Sequence, residues 1–221
     1  MPEATPEAAR HIHGWPEKRR AIATAAIGAF ARDGFARANV TAIAAEAGVS
    51  KRTLYKHYGD KEQLFRAVVE DVVTSLQQRF TQTSDLHLRH SKDIRAGLIA
   101  FGLAWIRTFL LAPDLIALRR LLVAEGAHFP SLIEAWRRAG PDPVNAVVRD
   151  QLSRLHDRGL LNIPDTARAV DHLAALLLYR VNNRVLFGLG PIPEQDIEDY
   201  VTDGVDAFLR MYAPPTTTIA D

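Results

Sequence analysis

Apolar residues recur at helical spacing along most of the chain, and no long stretch alternates apolar and polar residues as a strand would. The pattern predicts helices over 16–33, 40–47, 51–57, 61–80, 93–111, 114–126, 131–139, 143–158, 166–188 and 194–212. Prolines and glycines lie between these segments, where they end helices. The predicted fold class is therefore all-α.

The same pattern suggests how the chain is divided. We expect a disordered tail (1–15), a three-helix amino-terminal domain (16–62), a larger helical domain (63–213) and a loose tail (214–221). The helix over 61–80 would connect the two domains. The polar stretch TQTSDLHLRH at 81–90 is expected to be a linker and hinge.

Capping residues define the short helices near the amino terminus. Asn39 is a good N-cap for the second helix, Gly48 ends that helix, and Ser50 caps the third. Further signals are a left-handed stop at Gly34, with Phe35 packing back, and a capping box formed by Asp60 and Gln63.

The second and third helices together suggest a helix-turn-helix. Ala44 and Gly48 allow the two helices to meet at a steep angle. The inward set is Ile43, Val49, Leu54 and Tyr58, and the outer set is Lys51, Arg52, Thr53, Tyr55, Lys56 and His57. In this motif the second helix enters the major groove of DNA. A merely solvated cationic face is the alternative, but the caps, the turn and the inward set all favour DNA binding.

Charge supports a polyanion partner for this end of the chain only weakly. The net charge of the 221 residues is +1, but residues 1–61 hold ten Lys/Arg and six Asp/Glu, which leaves the rest at −3. The chain has no cysteine, which excludes disulfides and thiolate metal sites. Neither a signal-like apolar run nor a membrane-length apolar stretch is present, so we expect a cytoplasmic protein.

The stretch ARDGFARANVTAIAAEAGVSKRTLYKHYGDKEQLFRAVV resembles the amino-terminal domain of TetR-family transcriptional regulators over roughly residues 17–70. The matching positions are Gly34-Phe35, Ile43-Ala44, Ala47-Gly48-Val49-Ser50, Leu54-Tyr55, His57 and Lys61-Glu62. Asn39 stands where the family often has Thr or Ser, and Arg52 where it often has Gly. The later stretch LRRLLVAEGAHFPSLIEAWRRAGPDPV is similar to AefR-like carboxy-terminal domains.

The resemblance implies roles for individual side chains. Asn39, Thr41 and Lys61 would touch phosphates, and Tyr55 and His57 would reach backbone or base. Near the base edges or beside them would lie Ser50, Lys51, Arg52, Thr53 and Lys56. It also implies a repressor that binds double-stranded operator DNA and responds to a ligand, with no cofactor.

The larger domain is expected to dimerise and to bind a small apolar or aromatic ligand. The segments 166–188 and 194–212 carry apolar stripes, which the resemblance places at a homodimer interface, although part of each stripe must be intramolecular core. A ligand pocket needs apolar walls and a few polar groups. The candidates for it are Trp105, Phe109, His128, Phe129, Trp136, Tyr179 and Asn183.

Two other functions stay open at this point. The larger domain could dimerise without any small ligand. An all-α metal-dependent enzyme is less favoured: Glu125 and His128 form one E-x-x-H, but the second copy that a di-iron bundle requires is missing from the sequence. The pairs His11/His13 and His87/His90 are expected to bind metal only adventitiously, and no catalytic motif is found.

Overall fold

The computed structural model describes residues 15–89 and 91–214. The predicted tails therefore lie almost wholly outside the described residues, as do His11, His13 and His90.

Every regular element in the described ranges is helical, which confirms the all-α prediction. The helices are α1 Trp15–Arg37, α2 Val40–Glu46, α3 Lys51–Tyr58, α4 Lys61–Ser84, α5 Ile94–Trp105, α6 Pro113–Glu125, α7 Pro130–Ala139, α8 Pro141–Asp157, α9 Thr166–Leu186 and α10 Glu194–Tyr212. Single π-helical turns, Asp85–Arg89 and Ile106–Leu110, follow α4 and α5. The helices match the predicted segments to within a few residues at most ends.

The helices form two compact units. The first contains the chain up to Val73 together with Ala117–Ala139, and the second contains Thr74–Ile116 together with the residues from Gly140 onward. The hydrophobic pattern alone does not predict that Ala117–Ala139 groups with the amino-terminal helices.

The core of the first unit is built from the apolar faces of α1 to α4. The predicted inward residues Ile43, Leu54 and Tyr58 are buried, whereas Val49 is half-buried. Aromatic rings supply the largest side chains: Phe30 and Phe65 meet edge to face at a centroid distance of 5.7 Å. This core holds the two short helices, which would be marginal alone in water.

The first helix breaks at Gly34 with a positive φ of 76°, as predicted, but the conformation is not left-handed helical, because ψ is 161°. A further helical turn follows this kink and ends at Arg37. The chain bends there because only glycine readily adopts such angles. The bend lets the ring of Phe35 enter the core, with its centroid 5.5 Å from that of Phe30.

The prediction of a polar linker at 81–90 is wrong over its described part, because these residues are helical. α4 continues through Ser84, which is fully buried, and the π-helical turn that follows buries Leu88. Leu88 anchors the turn in the core although its neighbours are polar. A single buried leucine among polar neighbours gives no helical periodicity, so the sequence did not predict that this segment is helical.

Side chains of α8 and its C-cap hold this turn in place. The buried Gln151 donates from Nε2 to Oδ1 of Asp85 at 2.7 Å. The guanidinium of Arg158 donates to the carbonyl oxygens of Leu88, Arg89 and Ser91. A segment tied to α8 at both of its ends is a structured corner of the second unit.

The second unit packs α9 against α10 and α10 against α5. Gly102 of α5 and Gly204 of α10 are buried where helices approach closely, and a Cβ on either would lie 2.9 Å or less from a neighbouring heavy atom. The stripe predicted on the last helix faces this core, with Ile197, Val201, Val205 and Phe208 at 2% exposure or less. The buried part of that stripe is therefore intramolecular.

Among the described residues, no single helix is long and apolar enough to cross a membrane; only α5 with its π-helical turn and α6, taken as a bent pair, reach that length and composition.

Candidate nucleic-acid interface

The helix α3 is fixed at both ends by local chemistry. Ser50 accepts a hydrogen bond at Oγ from the backbone N–H of Thr53 at 3.0 Å, and the two hydroxyl oxygens lie 2.7 Å apart. Gly59 follows the helix with a φ of 72°. Leu54 and Tyr58 anchor the inner face in the core. The opposite face of α3 is therefore held outward in a defined orientation.

The outer face of α3 is cationic and aromatic. Its exposed side chains are Lys51, Arg52, Tyr55, Lys56 and His57, and Thr53 is half-buried. The Lys51 ammonium lies 5.7 Å from the centroid of the Tyr55 ring. The helix contains no carboxylate, so nothing within it opposes the approach of a phosphate.

The amino end of α2 lies beside this surface in sequence and is also exposed. Asn39 caps the helix as predicted, because its Oδ1 accepts from the backbone N–H of Thr41 at 2.8 Å. The side chain of Thr41 is exposed. Both residues offer neutral hydrogen-bonding groups at a helix amino terminus, which favours an anion.

The side chain of Lys61 makes hydrogen bonds within the first unit. Its Nζ donates to the carbonyl oxygen of Ala36 at 2.8 Å and to that of Ala38 at 3.4 Å. The same ammonium lies 4.9 Å from the centroid of the Phe35 ring. The side chain is half-buried, and two of the three N–H donors of the ammonium point at carbonyl oxygens.

The predicted capping box at the start of α4 is confirmed with one difference. Asp60 accepts from the backbone N–H of Gln63 at 2.7 Å, as expected, but the Gln63 side chain donates to the other carboxylate oxygen at 2.9 Å. The Asp60 carboxylate is thus satisfied locally beside the cationic face.

Charges behind α3 are also paired within the first unit. Arg19 forms a two-pronged contact with the carboxylate of Asp71. Burial raises the pKa of the nearby Tyr58 phenol, and the charge of Asp71 raises it further. Tyr58 therefore stays neutral near pH 7.

The seven candidate ligand residues fall into separate surroundings. Trp105 and Phe109 are buried in the second unit against Phe80, at centroid distances of 5.7 and 5.2 Å. Tyr179 is 67% exposed, and Asn183 is half-buried on the same helix, α9. The other three, His128, Phe129 and Trp136, belong to the first unit.

The E-x-x-H pair forms part of a turn in the structure. The backbone N–H groups of His128 and Phe129 donate to the carbonyl oxygen of Glu125, each at 2.9 Å. In the part of the chain that the structure describes, no group of three or more His, Cys, Asp or Glu side chains is placed to hold a metal ion.

The structure adds contacts that the sequence did not reveal. Phe129 packs against Phe35, and Ser131 donates from Oγ to Oε2 of Glu62 at 3.0 Å. Burial lowers the pKa of Arg119 on α6 to about 10, so this cation keeps its charge at neutral pH. The Phe35–Phe129 and Glu62–Ser131 contacts join residues 94 and 69 positions apart, so no local sequence pattern could have indicated these contacts.

Comparison with known proteins gives matches in both parts of the chain. Residues 22–68 match the family of bacterial regulatory proteins of tetR type, and residues 96–214 match the carboxy-terminal domain of AefR-like transcriptional repressors. The HTH-type transcriptional repressor SCO4008 of Streptomyces coelicolor is 44% identical over 62 residues, which are 28% of this chain and 32% of that protein.

Solved structures match over nearly the whole chain. A TetR-family transcriptional regulator from Mesorhizobium loti has a TM-score of 0.81 and 31% identity, over 90% of this chain and 98% of that one. The flavonoid-responsive regulator FrrA has a TM-score of 0.73 and 25% identity, over 91% and 100%. The chain thus belongs to the TetR family of DNA-binding transcriptional regulators, with a carboxy-terminal domain of AefR-like type.

Proposed function

We propose that this protein is a homodimeric repressor that binds operator DNA and is released from it by a small apolar or aromatic ligand. The observation that carries the DNA-binding part is the outer face of α3, where five exposed cationic or aromatic side chains stand on a helix without carboxylates. A protein that acts on operator DNA in a bacterium works in the cytoplasm.

We assign the choice of DNA sequence to α3. The affinity for DNA is assigned to contacts with the phosphates around it. Arg52 is exposed in the first turn of α3, where residues of a recognition helix reach base edges. An arginine that reads guanine with two hydrogen bonds discriminates by about 1–3 kcal/mol. Asn39, Thr41, Tyr55 and Lys61 would contact the DNA phosphates on either side.

A selection from random DNA duplexes tests this function directly. The purified protein should enrich a palindromic site, because a twofold dimer presents two identical α3 helices one or more helical turns apart. Arg52→Ala should lower affinity for that site and relax one base position by about 1–3 kcal/mol. Arg149→Ala, which removes an exposed arginine from α8 in the second unit, is the matched control and should bind as the unaltered protein does. Equal binding by both variants would remove α3 from the interface.

Release by a ligand is the second part of the proposal. Its support is the AefR-like second half and the name of FrrA, a flavonoid-responsive regulator with the same fold. If a ligand differs in affinity between two states of the protein, operator affinity should change by about 5- to 150-fold.

A DNA-binding dimer without a small ligand is the second candidate. The packing of Trp105 and Phe109 favours it, since their rings are buried against other aromatic rings as ordinary core. A screen of aromatic compounds against operator binding separates the two candidates, because only the first predicts any compound that releases DNA.

A further inference from the structure

We infer that Arg37, the last residue of α1, is a further phosphate-contacting residue of the DNA interface. This inference rests on the proposed operator binding, in which Asn39, Thr41 and Lys61 contact phosphates. It extends the interface to the end of α1, a helix to which neither the hydrophobic pattern nor the family resemblance assigned a DNA contact.

The hydrogen bonds of Lys61 fix where Arg37 lies. The Lys61 Nζ donates to the carbonyl oxygen of Ala36 at 2.8 Å and to that of Ala38 at 3.4 Å, the residues on either side of Arg37. Because the Ala36 carbonyl carbon is bonded to the Arg37 nitrogen, the ammonium lies within about 5 Å of that nitrogen. The third N–H donor of the ammonium is left for a phosphate. That phosphate, or the next one along the strand, is within reach of the long Arg37 side chain.

The guanidinium of Arg37 is available to a partner outside the chain. The side chain is exposed, and in the described ranges no carboxylate forms an ion pair with it. Asp33 lies four positions earlier, a spacing at which residues of one helix often pair. The bend at Gly34 breaks the helix between them, and the Asp33 carboxylate instead accepts from Arg32 at 3.3 Å.

The residues around Arg37 form a surface suited to phosphate oxygens. Arg37 lies two positions before Asn39, whose Oδ1 accepts from the backbone N–H of Thr41 at 2.8 Å. All three side chains are exposed. With Lys61 they provide two cations and two neutral hydrogen-bonding groups. An arginine adds the most to such a surface, because it can bind one phosphate through two charge-assisted hydrogen bonds.

Salt dependence and sequence preference together identify a phosphate contact. A cation that contacts a phosphate releases a counterion, so its loss flattens the log–log dependence of affinity on salt by about one unit for each contact. Phosphates carry no sequence information, so the loss of affinity should be similar for every duplex. An arginine that contacted a base would instead relax one position of the selected site.

The test uses the full-length dimer and the operator duplex selected with it. Arg37→Gln removes the charge from both subunits, so we expect at least about tenfold weaker binding and a salt slope flatter by about two units. Arg37→Lys keeps the charge and should keep the unaltered slope. The matched control is Arg32→Gln, which removes an exposed arginine that already contacts Asp33 on α1, and it should bind as the unaltered protein does.

Each possible result supports or overturns the inference. Unchanged affinity, an unchanged slope or a changed sequence preference for Arg37→Gln would overturn it, as would an equal effect of Arg32→Gln. Should circular dichroism show that Arg37→Gln does not fold, Arg37→Ala takes its place with the same expected result. Arg52→Ala separates this inference from the proposed function. If Arg52→Ala weakens operator binding and Arg37→Gln does not, only the inference fails; if neither does, the proposed function fails as well.

Discussion

Phe35 and Phe129 meet edge to face, with ring centroids 4.8 Å apart. Phe35 belongs to the last turn of α1, whereas Phe129 lies in the turn between α6 and α7. The contact joins the segment 117–139 to the helices that carry the proposed DNA-contacting residues. The hydrogen bond from Ser131 to Glu62 involves the same segment.

The first prediction concerns the energy of this aromatic contact. Phe129→Ala should lower the free energy of unfolding by about 1–3 kcal/mol, less than for a fully buried phenylalanine because Phe129 is half-buried. Urea unfolding measures the loss. A double-mutant cycle with Phe35→Leu should return a coupling of about 0.5–1.5 kcal/mol, the usual value for an aromatic pair. A coupling near zero would show that the two rings stabilise the fold independently.

The fold was predictable where local signals agree, and less so where distant residues meet. The caps at Asn39 and Ser50 and the buried face of α3 follow from side-chain chemistry within a few residues, and the structure confirms them. The corner at 85–89 depends on Gln151 and Arg158, about 65 to 70 positions later. No periodicity within the polar stretch could have indicated that corner.

The candidate sites divide in the same way. Exposure of Lys51, Arg52 and Tyr55 follows from one helix whose inner face is apolar. The surroundings of Lys61 and Phe129 depend on contacts made across the first unit. The family resemblance assigned Lys61 to a phosphate, and aromatic residue type assigned Phe129 to a ligand pocket. Both of those roles stay predictions.

A second prediction concerns Gly34, whose backbone conformation opposes any side chain, whereas the nearby Glu125 carboxylate is the end of a flexible side chain and can move away at little cost. Its φ is +76°, and a Cβ would lie 2.5 Å from Oε1 of Glu125. Gly34→Ala should therefore lower the free energy of unfolding by about 1–3 kcal/mol. Thermal or urea unfolding would measure the change.

Two other glycines separate those effects. Gly159 has a φ of +70° with nothing within 4 Å of a Cβ, so Gly159→Ala reports the backbone cost alone. Gly28 lies inside α1 with its nearest neighbour 4.0 Å from a Cβ, and Gly28→Ala should stabilise the protein by about 0.4–1 kcal/mol. If Gly34→Ala cost less than Gly159→Ala, the extended ψ of 161° at Gly34 would add no backbone strain to the positive φ.

The third prediction concerns dimerisation. Tyr179 and Phe187 are 67% and 69% exposed on and just after α9 in a single chain, whereas Phe208 is fully buried. We therefore place the dimer contact at the exposed pair. Phe187→Glu should give a folded monomer, because burying an unpaired carboxylate in an interface is costly. Phe208→Glu should instead unfold the chain.

Sedimentation equilibrium and circular dichroism together decide this prediction. Leu86→Glu is the matched control, since Leu86 is 77% exposed on the π-helical turn after α4, away from α9 in sequence. It should stay dimeric. If Phe187→Glu remained as dimeric as Leu86→Glu, the interface would have to lie on another surface.

The last prediction concerns ligand release and its reciprocity. A flavonoid is a suitable first probe, because the structurally similar FrrA is named as flavonoid-responsive. If it binds the second unit, it should weaken operator binding by about 5- to 150-fold, and operator DNA must weaken flavonoid binding by the same factor. Fluorescence anisotropy of labelled DNA measures the first effect, and calorimetry with and without operator measures the second. A compound that binds but leaves operator affinity unchanged has equal affinity for both states and cannot be an inducer. If no member of a broader aromatic library shifts the anisotropy, the protein is better explained as a DNA-binding dimer without a small ligand. Trp105 and Phe109 are then ordinary core residues.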